Sequence, residues 1–127
     1  MYEIDFDPVR KLLVLRTAGF WSLGTLAAFA AAALARGTIA RARYGRYAIL
    51  ADSRKLPVQS AEVARALDAV VSKSLALSDA PYACVVGSML VKLQAERVLN
   101  RPNCRVFLDM DEATAWLDQE WVQRRAA

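Results

Sequence analysis

The hydrophobic pattern of the chain predicts a strand at its centre. Five apolar residues run without interruption from Tyr47 to Ala51, and four polar residues, Asp52 to Lys55, follow them directly. A short continuous apolar run that ends in polar residues is typical of a strand buried on both faces of a sheet. Because helical spacing flanks this run on both sides, we interpret it as the central strand of an α/β domain.

Four further segments have the patterns of strands. Residues 2–7 alternate between apolar and acidic side chains, which predicts a strand with one solvated face. The turn signal Asp7-Pro8 separates them from the apolar segment 11–17, so the two segments predict an antiparallel hairpin. The continuous apolar run 82–86 and the segment 105–108, which is apolar after Arg105, predict two more buried strands.

Helical patterns separate the later strands and follow the last one. Residues that favour helix N-caps mark the starts of three of them: Ser22, Ser60, and Asp109 with Asp111. The turn Gly87-Ser88 leads into the other helix. The resulting order is β-β-α-β-α-β-α-β-α. Strands that are joined through helices run parallel. We therefore predict a single α/β domain, residues 1–127, with a mostly parallel sheet and an N-terminal antiparallel hairpin.

The first predicted helix has two unusual features. Its inward face includes Gly37, which would let the helix approach the sheet closely or would break it, and Gly45 is its predicted end. The segment 17–35 carries no charge and has about the length of a membrane span. Because eight of its residues are alanine, which contributes little to insertion, we predict a packed core helix and no membrane span.

The composition of the chain excludes some classes of function. The chain of 127 residues is 56% hydrophobic, which is enough for a sizeable core, and its net charge of +4 is too small to demand a nucleic-acid partner. It contains no histidine, which excludes imidazole bases and histidine-ligated metals. Cys84 and Cys104 form no disulfide framework, and we expect Cys84 to be a buried, inert thiol. The acidic N-terminus does not have the pattern of a signal peptide, so we expect a cytoplasmic protein.

Polar residues follow two of the predicted buried strands and define the candidate ligand site. They are Asp52, Ser53, Arg54, Gly87 and Ser88. The carboxyl ends of parallel strands are where open α/β sheets usually bind ligands, and a strand-Gly-Ser-helix turn offers free backbone N–H groups. The alternative, which we favour, is that Gly87 only forms a tight turn and that Arg54 pairs with Asp52.

Two side chains outside that edge are further candidates. Gln94 either lines a small pocket or flanks the core with its aliphatic stem, which is the interpretation we favour. Trp121 lies one turn beyond Trp116 and Leu117, and we interpret it as part of a homodimer interface. The sequence shows no nucleophile with a base, no metal cluster and no carboxylate pair with readable geometry, so we predict no enzyme activity, no cofactor and no bound metal.

A family resemblance rests on three segments, 50–54, 83–87 and 106–107 with 112–117. Through them nearly the whole chain resembles the SpoIIAA-like fold, and more narrowly the bacterial STAS-like branch related to CRAL-TRIO lipid-binding domains. Anti-sigma-factor antagonists of this fold carry a phosphorylated serine at the start of the second helix, where this chain has Ser60-Ala61. The resemblance therefore places alanine at the phosphorylation position and leaves Ser60 as a helix cap.

These observations lead to two functional hypotheses. The first is a non-enzymatic STAS-like binding or regulatory domain that lacks the phosphorylated serine and binds a protein partner or a small apolar or anionic ligand. The second, implied by the resemblance alone, is a carrier of a small apolar or lipid ligand. A buried cavity lined by residues of the first helix would favour the carrier, and a flat apolar patch would favour the binding module.

Overall fold

The protein folds into five strands and four helices. A computed structural model describes residues 1–76 and 78–126, with side chains as far as Trp121. The elements are β1 (Tyr2–Asp7), β2 (Leu12–Ala18), α1 (Leu23–Tyr44), β3 (Ala48–Lys55), α2 (Ala61–Ala76), β4 (Tyr82–Val86), α3 (Met89–Val98), β5 (Cys104–Phe107) and α4 (Met110–Ala126). This is the predicted order of elements.

The five strands form one mixed sheet in the order β1-β2-β3-β4-β5. β1 and β2 form the predicted antiparallel hairpin, and every later pairing is parallel. β3 is the central strand, as its apolar sequence indicates. It extends further than predicted, because the polar residues continue the pairing: Asp52 and Lys55 pair with β2, and Asp52 and Ser53 pair with β4.

Alternate residues of each strand point to opposite faces of the sheet, and each face has its own apolar cluster. On one face, α1, α2 and α3 cover strand residues that include Leu13, Ala51, Cys84 and Val106. On the other face, α4 alone covers strand residues that include Leu12, Leu50, Val85 and Phe107. The sheet therefore separates two layers of helices, three on one side and one on the other.

The predicted N-caps Ser22, Ser60 and Asp109 are confirmed, and Ser88 caps α3 in the same way. Each helix is preceded by a residue whose side-chain oxygen accepts a hydrogen bond from a backbone N–H three positions later, over 3.1–3.3 Å. These residues are Ser22, Ser60, Ser88 and Asp109. Such bonds satisfy N–H groups that the first turn of a helix otherwise leaves without partners.

α1 is continuous through Gly37 and ends at Gly45, which has a φ of +82°. A side chain at Gly37 would place its Cβ 2.5 Å from the hydroxyl of Tyr47, so glycine is needed for this close approach. Within the described part of the chain, α1 is also the one helix that is long and apolar enough to cross a membrane, although only 22% of its most apolar window is buried. The absence of a membrane span stays a prediction.

Candidate ligand-binding cavity

A large cavity of about 1020 Å³ separates α1, α2 and α3 from the sheet. Several of the residues that face it from the helices are small: Ala30, Ala33 and Gly37 of α1, and Ala61 and Ala64 of α2. The sheet adds Ala51 and Cys84 at its centre. Protein interiors normally leave few voids larger than one water molecule, so this space is an exceptional feature of the fold.

The size of the cavity is that of a ligand site. Binding sites for small molecules have volumes of about 300–1,000 Å³, and this cavity of about 1020 Å³ lies at the upper end of that range. Because the cavity also reaches solvent, water can enter it when no ligand is bound.

The lining is mostly apolar and comes from the three middle strands and from the three helices on this face. It includes Leu13 and Leu15 of β2, Ile49 of β3, Val86 of β4, Phe29 and Leu34 of α1, Leu67 and Val71 of α2, and Val91 and Val98 of α3. Trp21, which precedes α1, closes one side, and its indole N–H donates to the carbonyl of Ala18 over 2.9 Å. Apolar walls do not hold water tightly, so they favour an apolar occupant.

The cavity runs along the strands for a distance that a short molecule could occupy. Ile49 and Ser53 of β3 both line it, and four residues of strand span about 13 Å. It continues past Ser53 to Gln59 and, at the other end, past Ile49 to Tyr47.

A small polar group interrupts the apolar floor near the carboxyl ends of the strands. The hydroxyl of Thr17 donates to the hydroxyl oxygen of Ser53 over 3.0 Å, and both residues line the cavity. Cys84 lies beside them, and burial raises the pKa of its thiol to about 12, with Ser53 opposing that shift through a hydrogen bond. Cys84 is therefore the buried, unreactive thiol that the sequence predicts.

Tyr82 of β4 is a buried polar side chain on the sheet side of the cavity. It is 9% exposed, lines the cavity and forms no side-chain hydrogen bond within the described part of the protein. Burial, with smaller contributions from Cys84 and Cys104, raises the pKa of its phenol, so the hydroxyl is neutral and can donate or accept. Buried hydroxyls usually have a partner, and this one is available to a polar atom of a ligand.

Charged and amide side chains lie where the cavity reaches solvent. Asp68 of α2 and Gln94 and Arg97 of α3 line the cavity and are exposed. Partial burial raises the pKa of Asp68. Of the two alternatives for Gln94, the structure therefore places it along a pocket, although that pocket is far larger than the one predicted.

Two of the five residues that the sequence singles out at the sheet edge, Asp52 and Arg54, form an ion pair with each other. The Arg54 guanidinium donates two hydrogen bonds of 2.9 Å to the two carboxylate oxygens of Asp52. These bonds, before any other cause, lower the pKa of Asp52. The predicted pair between Arg54 and Asp52 is thus present, and it engages the guanidinium fork within the protein. Ligand binding at this edge stays a prediction.

The other three residues of that edge lie close together but serve the fold. A Cβ on Gly87 would lie 2.5 Å from the backbone carbonyl oxygen of Arg54, so glycine permits this tight approach of two chain segments. The Ser88 hydroxyl caps α3. Ser53 is the one member of the predicted ligand set that lines the cavity.

Trp121 lies in the core of the single chain instead of beyond its edge. It is 8% exposed, packs in the cluster under α4, and donates its indole N–H to the carbonyl of Arg10 over 3.0 Å. The turn between β1 and β2 covers the indole, and sequence spacing along α4 does not reveal this. The homodimer stays a prediction, but Trp121 offers little exposed surface to it.

Sequence reasoning missed the cavity because periodicity marks which residues face inward and not how far apart two layers stand. The available signal was the small size of the inward residues of α1, above all Ala30, Ala33 and Gly37. A helix that presents alanine and glycine to a sheet either packs very close to it or leaves a space.

Comparisons with known proteins assign no family. No protein-family model matches the chain, and no curated protein has a matching sequence.

Proposed function

We propose that this protein binds a small, elongated apolar molecule in the cavity between the sheet and helices α1–α3. The observation that carries the proposal is the cavity itself, about 1020 Å³ of mostly apolar space in a chain of 127 residues. Water fills apolar space poorly, and an apolar ligand removes the cost of an unfilled interior. Of the two hypotheses from the sequence, the carrier is the one that a cavity lined by α1 favours.

The resemblance to STAS-like and CRAL-TRIO domains supports the same proposal. The element order matches that of the SpoIIAA-like fold, and the lipid-binding branch of the resemblance implies an apolar ligand held by the domain. We propose membership of this fold group together with the carrier function. Binding requires no chemical step, and the buried thiol of Cys84 and the paired Asp52 serve no reaction in it.

The test is a titration with the neutral fluorescent probe N-phenylnaphthylamine. We expect saturable binding at one site per chain, with a rise in fluorescence. Ala64→Phe adds a ring inside the cavity and should weaken this binding at least tenfold. Ala69→Phe is the matched control, because Ala69 lies on the same helix, is exposed and does not line the cavity; it should leave binding unchanged.

A second pair on α1 protects the test against misfolding of one variant. Ala33 lines the cavity, whereas Ala35, two residues later, is exposed and does not. Circular dichroism and a cooperative melt confirm that each variant is folded. The proposal fails if the folded natural protein shows no saturable binding, or if folded Ala33→Phe and Ala64→Phe bind the probe as well as their controls.

A second candidate function, association with a protein partner, rests on exposed apolar side chains at the carboxyl ends of the strands. Exposed apolar side chains follow the carboxyl ends of four strands: Phe20 after β2, Val58 after β3, Met89 and Leu90 after β4, and Leu108 after β5. Strand ends of a parallel sheet meet at one edge, so these residues lie along the same side of the protein. Apolar surface of this kind is typical of an interface.

The partner on that surface is tested as a second copy of the chain. Sedimentation equilibrium should detect a dimer, and Leu90→Glu should convert it to a monomer without changing the melt. Ile39→Glu, on an exposed apolar residue of α1 that is away from these strand ends and does not line the cavity, is the control. A natural protein that stays monomeric at high concentration contradicts the homodimer.

A further inference from the structure

A second cavity lies at the amino ends of the strands, opposite the sheet edge that the sequence singles out. It has a volume of about 510 Å³ and lies between the last turn of α1, the end of α2 and the segments that lead into β4 and β5. Its charged lining residues are Arg41, Arg46, Asp79 and Arg101. Three arginines and one aspartate leave this cavity with a net charge of +2.

The arginines are not equally engaged. Arg46 donates to the carboxylate of Asp79 over 2.6 Å. Neither Arg41 nor Arg101 forms an ion pair or a side-chain hydrogen bond with any described residue. Guanidinium groups without a carboxylate are strong donors for carboxylate and phosphate oxygens.

The two cavities are neighbours. Four residues line both of them: Arg41, Leu75, Ser78 and Asn103. The apolar space therefore ends beside the cavity that contains the free arginines. A molecule that extends along the strands through the first cavity would place its end at Arg41.

We propose that the ligand is a single-chain amphiphile whose anionic head group, a carboxylate or a phosphate, binds to Arg41 and Arg101. This inference rests on the proposed function and specifies its ligand. The apolar chain lies between the sheet and α1–α3, and the head group lies at the amino ends of β3–β5. Arg46 is already neutralised by Asp79 and has a supporting position at the rim.

The experiment compares ligands that share one chain and differ in the head group. Each ligand is titrated against the folded protein with bound N-phenylnaphthylamine, and displacement of the probe is measured. The four ligands are hexadecanol, hexadecylamine, palmitate and hexadecyl phosphate. We expect the two anions to bind severalfold more tightly than hexadecanol, because Arg41 and Arg101 are exposed and each ion pair between solvated groups contributes about 0.2–1 kcal/mol. Hexadecylamine should bind more weakly than the alcohol.

The arginines are tested by the double variant Arg41→Gln, Arg101→Gln. It should lose the preference for the anions and keep the affinity for hexadecanol. Arg65→Gln is the matched control, since Arg65 is exposed on α2 and lines neither cavity; it should keep the preference. Raising the salt concentration should weaken binding of the anions and leave hexadecanol unaffected.

The outcomes separate this inference from the proposed function. If hexadecanol binds but the anions have no advantage, or if the double variant keeps the advantage, the inference is wrong and the proposed function stands. If no ligand displaces the probe, the proposed function fails as well. Inorganic phosphate tests whether a free anion occupies the site. If inorganic phosphate binds but does not compete with hexadecyl phosphate, the head group does not bind at the arginines and the inference is wrong.

Discussion

The two faces of the sheet are built from the same strands and differ in how well they are filled. On the face under α4, alternating residues such as Leu50 and Val85 pack against Ala113 and Leu117, and all four are buried. On the opposite face, Ile49, between Leu50 and Ala48 in the same strand, is only partly buried and borders the large cavity. α4 packs against its face of the sheet, whereas α1, α2 and α3 leave a large cavity on theirs.

This difference indicates a division of roles. A close-packed face provides stability, because every buried methylene there has contacts on all sides. The face under α1–α3 gives up such contacts along α1, where alanine and glycine point inward, and becomes able to accept a ligand. We expect substitutions on the two faces to have opposite consequences for stability and binding.

The largest contrast should come from neighbouring residues of β3. Leu50→Ala removes a buried side chain from the filled face and should lower the free energy of unfolding by about 2–5 kcal/mol. Ile49→Ala enlarges a cavity that already exists, so its cost should be clearly smaller. Urea unfolding of both variants without ligand measures the difference. Equal losses would show that the two faces are equally well packed in solution.

Added volume should reverse the contrast. Ala113 is fully buried under α4, and Ala113→Leu should overpack that face and lower stability by about 1–3 kcal/mol. Ala64→Leu adds the same volume to the cavity and should be neutral or stabilising. Thermal melts of the two variants give the comparison, and destabilisation by Ala64→Leu as large as that by Ala113→Leu would mean that no space is available at α2.

Removal of a hydroxyl within the cavity should have little effect on folding. Tyr82→Phe deletes a buried group that forms no hydrogen bond within the described residues, so unfolding should change by less than about 0.5 kcal/mol, in the stabilising direction. A loss above about 1 kcal/mol would indicate that the hydroxyl has a partner in the protein. The same variant should weaken binding of any ligand with a polar atom near Tyr82.

The smallest expected effects are two pH dependences of opposite sign. Burial raises the pKa of Asp68 above its ordinary value of 3.8, so the ionised form is disfavoured in the folded state and stability falls as pH rises through that raised pKa. Asp68→Asn should therefore be slightly more stable than the natural protein at neutral pH and equal to it in acid. An unchanged difference across the pH range would contradict this.

Asp52, at the sheet edge, should give the opposite dependence of stability on pH. Its pKa is lowered, first by the side-chain hydrogen bonds from Arg54, so the ionised form contributes stability that is present above pH 3.8 and is lost as pH falls through the lowered pKa. Asp52→Asn should be less stable at neutral pH, and the difference should disappear in acid. The effect is small because the Arg54 side chain is largely solvated.

The sequence predicted the fold better than the site. Continuous apolar runs such as 82–86 and the caps at Ser22 and Ser60 are local signals, and each was confirmed. The distance between α1 and the sheet is not a local property, so the cavity was not predicted. The ligand role of the edge residues stays a prediction: Asp52 and Arg54 are chemically suited to a ligand, and the ion pair between them, which the sequence offers as the alternative, is present in the structure.

The most direct measurement of the central claim is native mass spectrometry of the folded protein, freshly purified and then titrated with palmitate. We predict a complex with one small molecule per chain, either retained from the cell or formed on titration, which releases its ligand when the protein is unfolded. Ala64→Phe should abolish the complex and Ala69→Phe should preserve it. A folded natural protein that carries no molecule before titration and binds none during it would contradict the account.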